Sequence, residues 1–476
     1  MLPRKQLPNI IVIILDAVRA RNVSSYGYPS KTTPYLDEFA AEGLRFRHAF
    51  STSTWTIPTH ASILSGLYLS QHRIETVKAN RKFNQAIVTL PVALRAHGYR
   101  TAAFSQNILF SPQHHFDDFG EFHLGNEARI IKRNGSVSLL QKMAKYRRKV
   151  KAPRNTFGSM IKWIEKCDGP LFIMANITNA HYPWALPLPD LIFKSRVNPI
   201  DFLDEDLLTL QPFQFNSGKR SVTARHRIMW QTCYDVSIRH LDREIGRFLR
   251  RLKQWKGWSN TIVAITADHG EMLGDYRDIV GHTLSLHDNL IRVPLIVRHP
   301  DYPSNLVVQG VVQIHDLYSS IFEWIGAATD SVPHAQLQRP SLSQAVTSAN
   351  EAEGFAFAEE DYTDSYDVIR GLLGANPGMN PTKYPRQQIA VRSATHKYIW
   401  FDDRPGEFYN LIKDPFEEID LTSVHDPSEG EMLKELQSAL QAWRSNLEIF
   451  PPQSTIQEVE VNPEVADRLR ELGYIE

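Results

Sequence analysis

Asn9-Ile10-Ile11-Val12-Ile13-Ile14-Leu15-Asp16 is the stretch that decides the fold. An unbroken apolar run of this length, bounded by Asn and Asp, reads as a strand covered on both faces, as in a parallel sheet. Similar runs recur at residues 101–104, 171–177, 261–266 and 293–297. Helical periodicity separates them at 33–42, 90–97, 157–166, 229–253 and 315–324. Strands alternating with helices predict a doubly wound α/β sheet. Ligands of such sheets bind beyond the carboxyl ends of the strands. Asp16 ends the first run, Asp268-His269 follow the strand at 261–266, and His181 follows 171–177 after a short turn. One rim therefore collects residues of metal-binding and acid–base type.

The composition is that of an ordinary globular protein, 42% hydrophobic and 22% charged over 476 residues. This is enough chain for one large domain with a smaller appendage. The formal net charge is +0, so no global field points to nucleic acid or a membrane surface. Cys167 and Cys233 lack both disulfide-framework and metal-site spacing and are expected to be inert core thiols. The apolar run at 10–15 is too short for a signal-peptide core, and no later stretch is long and apolar enough to span a bilayer. The expectation is a cytoplasmic chain without a membrane span.

The pattern changes near residue 360. Antiparallel strands are predicted at 388–392 and 397–401, with a polar turn leading on to 407–411 and helices at 430–447 and 463–472. Residues 1–360 are therefore read as the catalytic domain and 361–476 as a small C-terminal α+β subdomain. Two stretches read as insertions, at about 126–156 and 198–227. The first is rich in Lys and Arg: a solvated helix and loop, or a rim that attracts an anionic substrate. The second lacks periodicity and suits a lid or specificity loop.

Three pieces carry chemistry. In Thr56-Ile57-Pro58-Thr59-His60, Pro58 suits a first helical turn, so the Thr56 hydroxyl would sit at a helix N-terminus, where amides and the dipole favour an anion. Such a hydroxyl attacks an oxyanion if a bound divalent metal lowers its pKa; the plainer reading is a helix cap. Asp268-His269-Gly270-Glu271 at a strand end suits a hard or borderline cation, or a surface turn. Asp16, closing an apolar strand, needs a partner, either a metal or a helix amide.

In order, the chain holds Asp16, Thr56-x-Pro-x-His60, His181-Tyr182-Pro183, Asp268-His269-Gly270, Gly281-His282 and Arg292-Val293-Pro294-Leu295-Ile296. Supporting pieces are Thr33-Pro34-Tyr35-Leu36-Asp37, Tyr234-Asp235 with Leu241-Asp242, and Tyr409-Asn410-Leu411. This series resembles the sulfatase-like family of the alkaline phosphatase superfamily, with Thr56 where a sulfatase carries the cysteine that matures to formylglycine. The resemblance implies an alkaline-phosphatase-like α/β sheet and a metal-dependent hydrolase. It implies one divalent cation (Mn, Zn, Mg or Ca) on Asp16, Asp268 and His269, with Thr56 as further ligand and nucleophile. It also implies His181 at the bound oxyanion, His282 as general acid or charge stabiliser, and His60 and Asn107 at the substrate.

The departures bear on the reaction. Ala17 stands where sulfatases usually place a second aspartate, and His269 where Asn is common, which tilts the site from Ca²⁺ toward Mn²⁺, Zn²⁺ or Mg²⁺. No lysines match those that grip sulfate. A threonine cannot use the carbon–oxygen cleavage open to formylglycine, so an adduct on Thr56 must be resolved by attack at the central atom. This favours a phosphate ester, phosphodiester or phosphonate over a sulfate ester, on a small or carbohydrate-type anionic substrate. Two other readings stay open: a soluble phospho- or sulfo-group transferase, and an inactive sulfatase-like binding protein. A homo-oligomer is compatible with either.

Overall fold

The computed structural model describes residues 6–74, 83–112, 116–125, 139–187, 201–330, 332–349, 351–361 and 387–450, apart from single positions 203, 209, 211 and 424. Strand β1 (Asn9–Leu15) lies inside an eight-stranded sheet with β2 (Leu44–Phe50), β3 (Arg100–Ser105), β4 (Glu121–Leu124), β5 (Leu171–Ile177), β6 (Thr261–Thr266), β9 (Leu295–Arg298) and β10 (Leu306–Gln313). Their order is β10-β2-β9-β6-β1-β5-β3-β4. A two-stranded hairpin, β7 (Met272–Leu273) with β8 (Val280–Gly281), stands apart from this sheet. All seven residues of β1 are buried, because it has strands on both edges and is covered on both faces. Helices α1 (Pro34–Ala41), α2 (Thr56–Ser65), α3 (Leu139–Glu165), α4 (Ala224–Leu252) and α5 (Leu317–Ile325) accompany the sheet.

The register aligns the functional rim. Leu15 pairs with Ile177, Ile14 with Thr266, and Ser105 with Asn176. The residues just after β1, β3, β5 and β6 therefore emerge together at the carboxyl ends. The sheet is mixed rather than wholly parallel, since β9 runs antiparallel to β6 and β2. Between β6 and β9 lie only the short hairpin and a four-residue helix, Asp288–Ile291. With no crossover helix, the chain re-enters the sheet from the rim it left and must run backwards.

The helix expected at 157–166 is the end of α3, whose earlier part lies within the first basic stretch read as an insertion. The second insertion contains short helices Glu205–Leu208 and Pro212–Asn216. Strand β2 was absent from the sequence reading: its apolar positions alternate with Arg45 and Arg47, which are not buried.

The smaller sheet comprises β11 (Ala356–Asp361), β12 (Gln387–Arg392), β13 (His396–Phe401) and β14 (Glu407–Asn410), all antiparallel. Strand β11 lies across the expected boundary at 360. Period-two alternation divides the faces of this sheet. Ala358, Ala390, Ile399 and Tyr409 cluster with Met272, Tyr276, Leu286 and Leu290 of the rim loops. Phe357, Ile389, Val391, Tyr398 and Phe408 cluster with Leu436 and Leu440 of α6 (Pro427–Ser445). The small sheet thus buttresses the segment between β6 and β9. The helix expected at 463–472 lies outside the described residues. Cys167 and Cys233 are free and buried. Among the described residues no helix is long and apolar enough to cross a membrane.

Candidate active site

Asp16, at the end of β1, is fully buried, and its amide donates to the Ile177 carbonyl at 3.1 Å. The chain then turns through Ala17 at φ 63°, a left-handed conformation uncommon for residues with a Cβ. That turn aims the Ala17 amide at Asp268 Oδ1, 3.2 Å away, while Tyr234 donates its hydroxyl to the Ala17 carbonyl. Asp268 Oδ1 also accepts the His269 amide at 2.9 Å. Asp268 and His269 are wholly buried, which excludes the surface-turn reading. Gly270 is required by close approach: a Cβ there would stand 1.9 Å from the Asn289 carbonyl oxygen.

Thr56 is the first residue of α2; Trp55 holds the cap position, so Thr56 is not a capping side chain. Its hydroxyl instead accepts from Asn107 Nδ2 at 3.2 Å, and the same amide donates to Asp16 Oδ2 at 2.9 Å. Asn107 follows β3 and joins the helix N-terminus to the carboxylate cluster. His60 lies one turn on, with Nδ1 donating to the Thr56 carbonyl (2.8 Å) and Nε2 accepting from Asn176 Nδ2 (3.1 Å). Its ring packs 4.5 Å from that of Phe110. Burial pushes the His60 imidazole down to about 4, consistent with a neutral ring. Expected at the substrate, His60 has both nitrogens engaged inside the protein, where it steadies α2.

The other histidines gather over the same rim. His282 stacks on His269, with ring centroids 4.4 Å apart, and His181 meets His282 edge-on at 4.8 Å. Burial, opposed by Asp16, pushes His181 down to about 4. Burial and then His269 push His282 well below its ordinary range. Lys149 of α3 donates to the His181 carbonyl at 3.0 Å, bringing one cation of the basic stretch to this edge.

The orphaned atoms show what the cluster lacks. Asp16 Oδ1, Asp268 Oδ2 and His269 Nε2 are buried without hydrogen-bond partners. Asp16, Asp268 and His269 can present ligand atoms within 4.8 Å of one another. Burial and then the Asp16 charge push Asp268 up to about 7. Burial opposes ionisation of Asp16, but His181, His269 and the Asn107 amide outweigh it and hold its pKa low. Two buried carboxylates and an imidazole with unspent lone pairs fit a divalent cation. His269 Nδ1 donates to the Gly270 carbonyl at 2.8 Å, turning the Nε2 lone pair to the cluster.

Three contributors were given no role by the sequence reading. Glu271 sits 3.2 Å from His282 through Oε1, Asn176 anchors His60, and fully buried Arg19 pairs with Asp275 at 2.7 Å. Only Glu271 carried a signal, its place directly after Asp268-His269-Gly270. The supporting resemblances have plain roles. Tyr234 clamps the Ala17 turn, and Asp242 accepts the Tyr35 and Leu36 amides that open α1.

The Sulfatase family model matches residues 8–327. Arylsulfatase K of Mus musculus is 23% identical over 445 residues, covering 87% of this chain and 75% of that protein. Against the dog and rat forms the matched stretch is 63% and 60% of their length. The multifunctional alkaline phosphatase superfamily protein PehA of Trinickia caryophylli is 22% identical over 506 residues, covering 92% of this chain and 95% of that one. Among solved structures, the phosphonate monoester hydrolase of Agrobacterium radiobacter shares the fold with a TM-score of 0.71 at 20% identity, over 94% of this chain and 97% of that one.

Proposed function

The chain belongs to the sulfatase family and is a sulfuric or phosphoric ester hydrolase; from that premise we propose that Thr56 is its nucleophile and a phosphorus ester its substrate. The observation that carries this reading is the Asn107 amide, which bridges the Thr56 hydroxyl and the Asp16 carboxylate. An alcohol at a helix N-terminus, tied to a cluster of unspent ligands, suits attack on an anionic centre and supports this reading. Asp16, Asp268 and His269 would hold the divalent cation, which when bound lowers the pKa of a neighbouring hydroxyl and neutralises charge on the ester.

The chain's own residues do the rest. Thr56 reacts as the alkoxide, its proton having passed by way of solvent to Nε2 of the neutral His282 ring. Its Oγ forms a bond to the central atom while the ester oxygen–central atom bond breaks, and His282 supplies a proton to the departing oxygen. Water then attacks the same atom in line, forming the new bond as the Oγ bond breaks and restoring the Thr56 hydroxyl. Asn107 orients Oγ, and His181 faces the non-bridging oxygens. A phosphorus centre suits this second displacement, because threonine has no second hydroxyl through which to release the group. The likeness to arylsulfatase K favours a sulfate ester as the second reading.

The test is turnover of aryl sulfate, phosphate monoester, phosphodiester and phosphonate monoester by metal-reconstituted protein. Thr56→Ala is expected to abolish activity with folding and metal content retained, and Thr56→Ser to keep part of it. Full activity in Thr56→Ala overturns the nucleophile assignment.

A further inference from the structure

Glu271 is absent from the proposed mechanism, yet its carboxylate is buried at the centre of the site. The hairpin explains why. Strands β7 and β8 are antiparallel with Met272 opposite Gly281, so Glu271 and His282 occupy the next facing positions and share one side. There His282 Nδ1–H donates to Glu271 Oε1 at 3.2 Å, between side chains 5% and 1% exposed. The backbone holds this carboxylate in place from behind. Arg19 Nε donates to the Glu271 carbonyl, and the same guanidinium grips Asp275 through two hydrogen bonds, of 2.7 and 3.2 Å. Glu271 Oε2 is buried without a hydrogen-bond partner. A carboxylate desolvated for one histidine, with its other oxygen unspent, contributes little net stability and is better explained by what it orients.

We infer that Glu271 is a positioning residue that fixes His282 as the Nδ1–H tautomer, making Nε2 the nitrogen that exchanges a proton with the leaving group. The inference rests on the proposed role of His282. When the ester oxygen–central atom bond breaks, its electron pair stays on the leaving oxygen, and the proton that Nε2 took up from Thr56 to form the imidazolium passes to that oxygen. Glu271 remains a carboxylate throughout and stabilises that imidazolium without accepting its proton.

Leaving groups of different basicity test the pair. With an alkyl ester, whose alkoxide must be protonated, Glu271→Ala should lower kcat ~10²-fold, the scale of general acid catalysis. With a 4-nitrophenyl ester of the same acid, kcat should hardly change. Glu271→Gln, which keeps an acceptor for Nδ1–H, should recover part of the loss. The Glu271→Ala/His282→Ala double variant should be no slower than His282→Ala. Equal losses with both esters, adding to those of His282→Ala, would overturn the inference. Nitrogen-15 NMR provides a readout independent of turnover, with the His282 signals found by their absence in His282→Gln. The Nδ1–H pattern is expected in the parent protein and its loss in Glu271→Ala; the same tautomer in both would overturn the inference even if no ester tried is hydrolysed. Metal content should be unchanged in Glu271→Ala. Failure of the underlying site reading would show separately, as activity that survives Thr56→Ala.

Discussion

Replacing Asp268 by Asn should raise stability without metal and lose that advantage when metal is bound. Asp16 and Asp268 are both fully buried, and burial with the Asp16 charge pushes Asp268 from the ordinary 3.8 up to about 7. A folded-state pKa above the unfolded one means the folded protein binds the proton more tightly. The penalty is therefore absent below about pH 4, grows as pH rises toward about 7, and is complete above it. At 1.36 kcal/mol per pH unit the difference is worth ~4 kcal/mol. The introduced side-chain amide would keep an Oδ1 acceptor for the Ala17 and His269 amides, which now lie at 3.2 and 2.9 Å from Asp268, while removing the charge. In chelator at pH 8 the variant should melt about 4 °C above the parent, taking ~1 kcal/mol per degree for a chain of this length. In divalent metal at about a thousand times Kd the parent gains ~4 kcal/mol and the variant little, so the gap closes and the two should melt together. Calorimetry of both proteins, chelated and loaded, at pH 5 and pH 8 reads all of this. A variant that is less stable than the parent by the same margin in chelator and in metal would refute the argument, as would a parent indifferent to metal.

Two further outcomes follow from other contacts. Asn107→Ala removes one hydrogen bond to a charged group and one to a neutral hydroxyl, together ~3 kcal/mol, and should lower kcat/KM ~10²-fold. Steady-state kinetics decide it, and an unchanged kcat/KM would detach Asn107 from the chemistry. Burial pushes His72 down to about 3, so the neutral ring stabilises the fold above its unfolded pKa near 6.5 and that stability is lost as pH falls. His72→Gln should flatten the decline in Tm between pH 7 and pH 4.5 by the equivalent of ~3 kcal/mol. Parallel Tm–pH curves for the two proteins would contradict it.

Much of the site was legible because strand ends carry it. Continuous apolar runs mark β1, β5 and β6, and whatever polar residue ends such a run must emerge at the rim, as Asp16 and Asp268-His269 do. Strand β2 was hidden because alternation with arginine looks like a solvated segment until its neighbours cover one face. The direction of β9 was equally hidden, since a four-residue apolar strand reads the same in either sense.

The chain's own chemistry determined the layered α/β architecture, the rim of carboxylates and imidazoles, and a threonine at the head of α2. Tertiary structure alone decided what each of those groups faces. It turned His60 inward onto the Thr56 carbonyl, spanned Thr56 and Asp16 with Asn107, and set Glu271 against His282 across the β7–β8 hairpin. Local sequence determines which residues reach a surface, because backbone periodicity is a short-range property. Hydrogen-bond partners tens or hundreds of residues apart are selected only when packing excludes water and leaves each buried polar atom few choices.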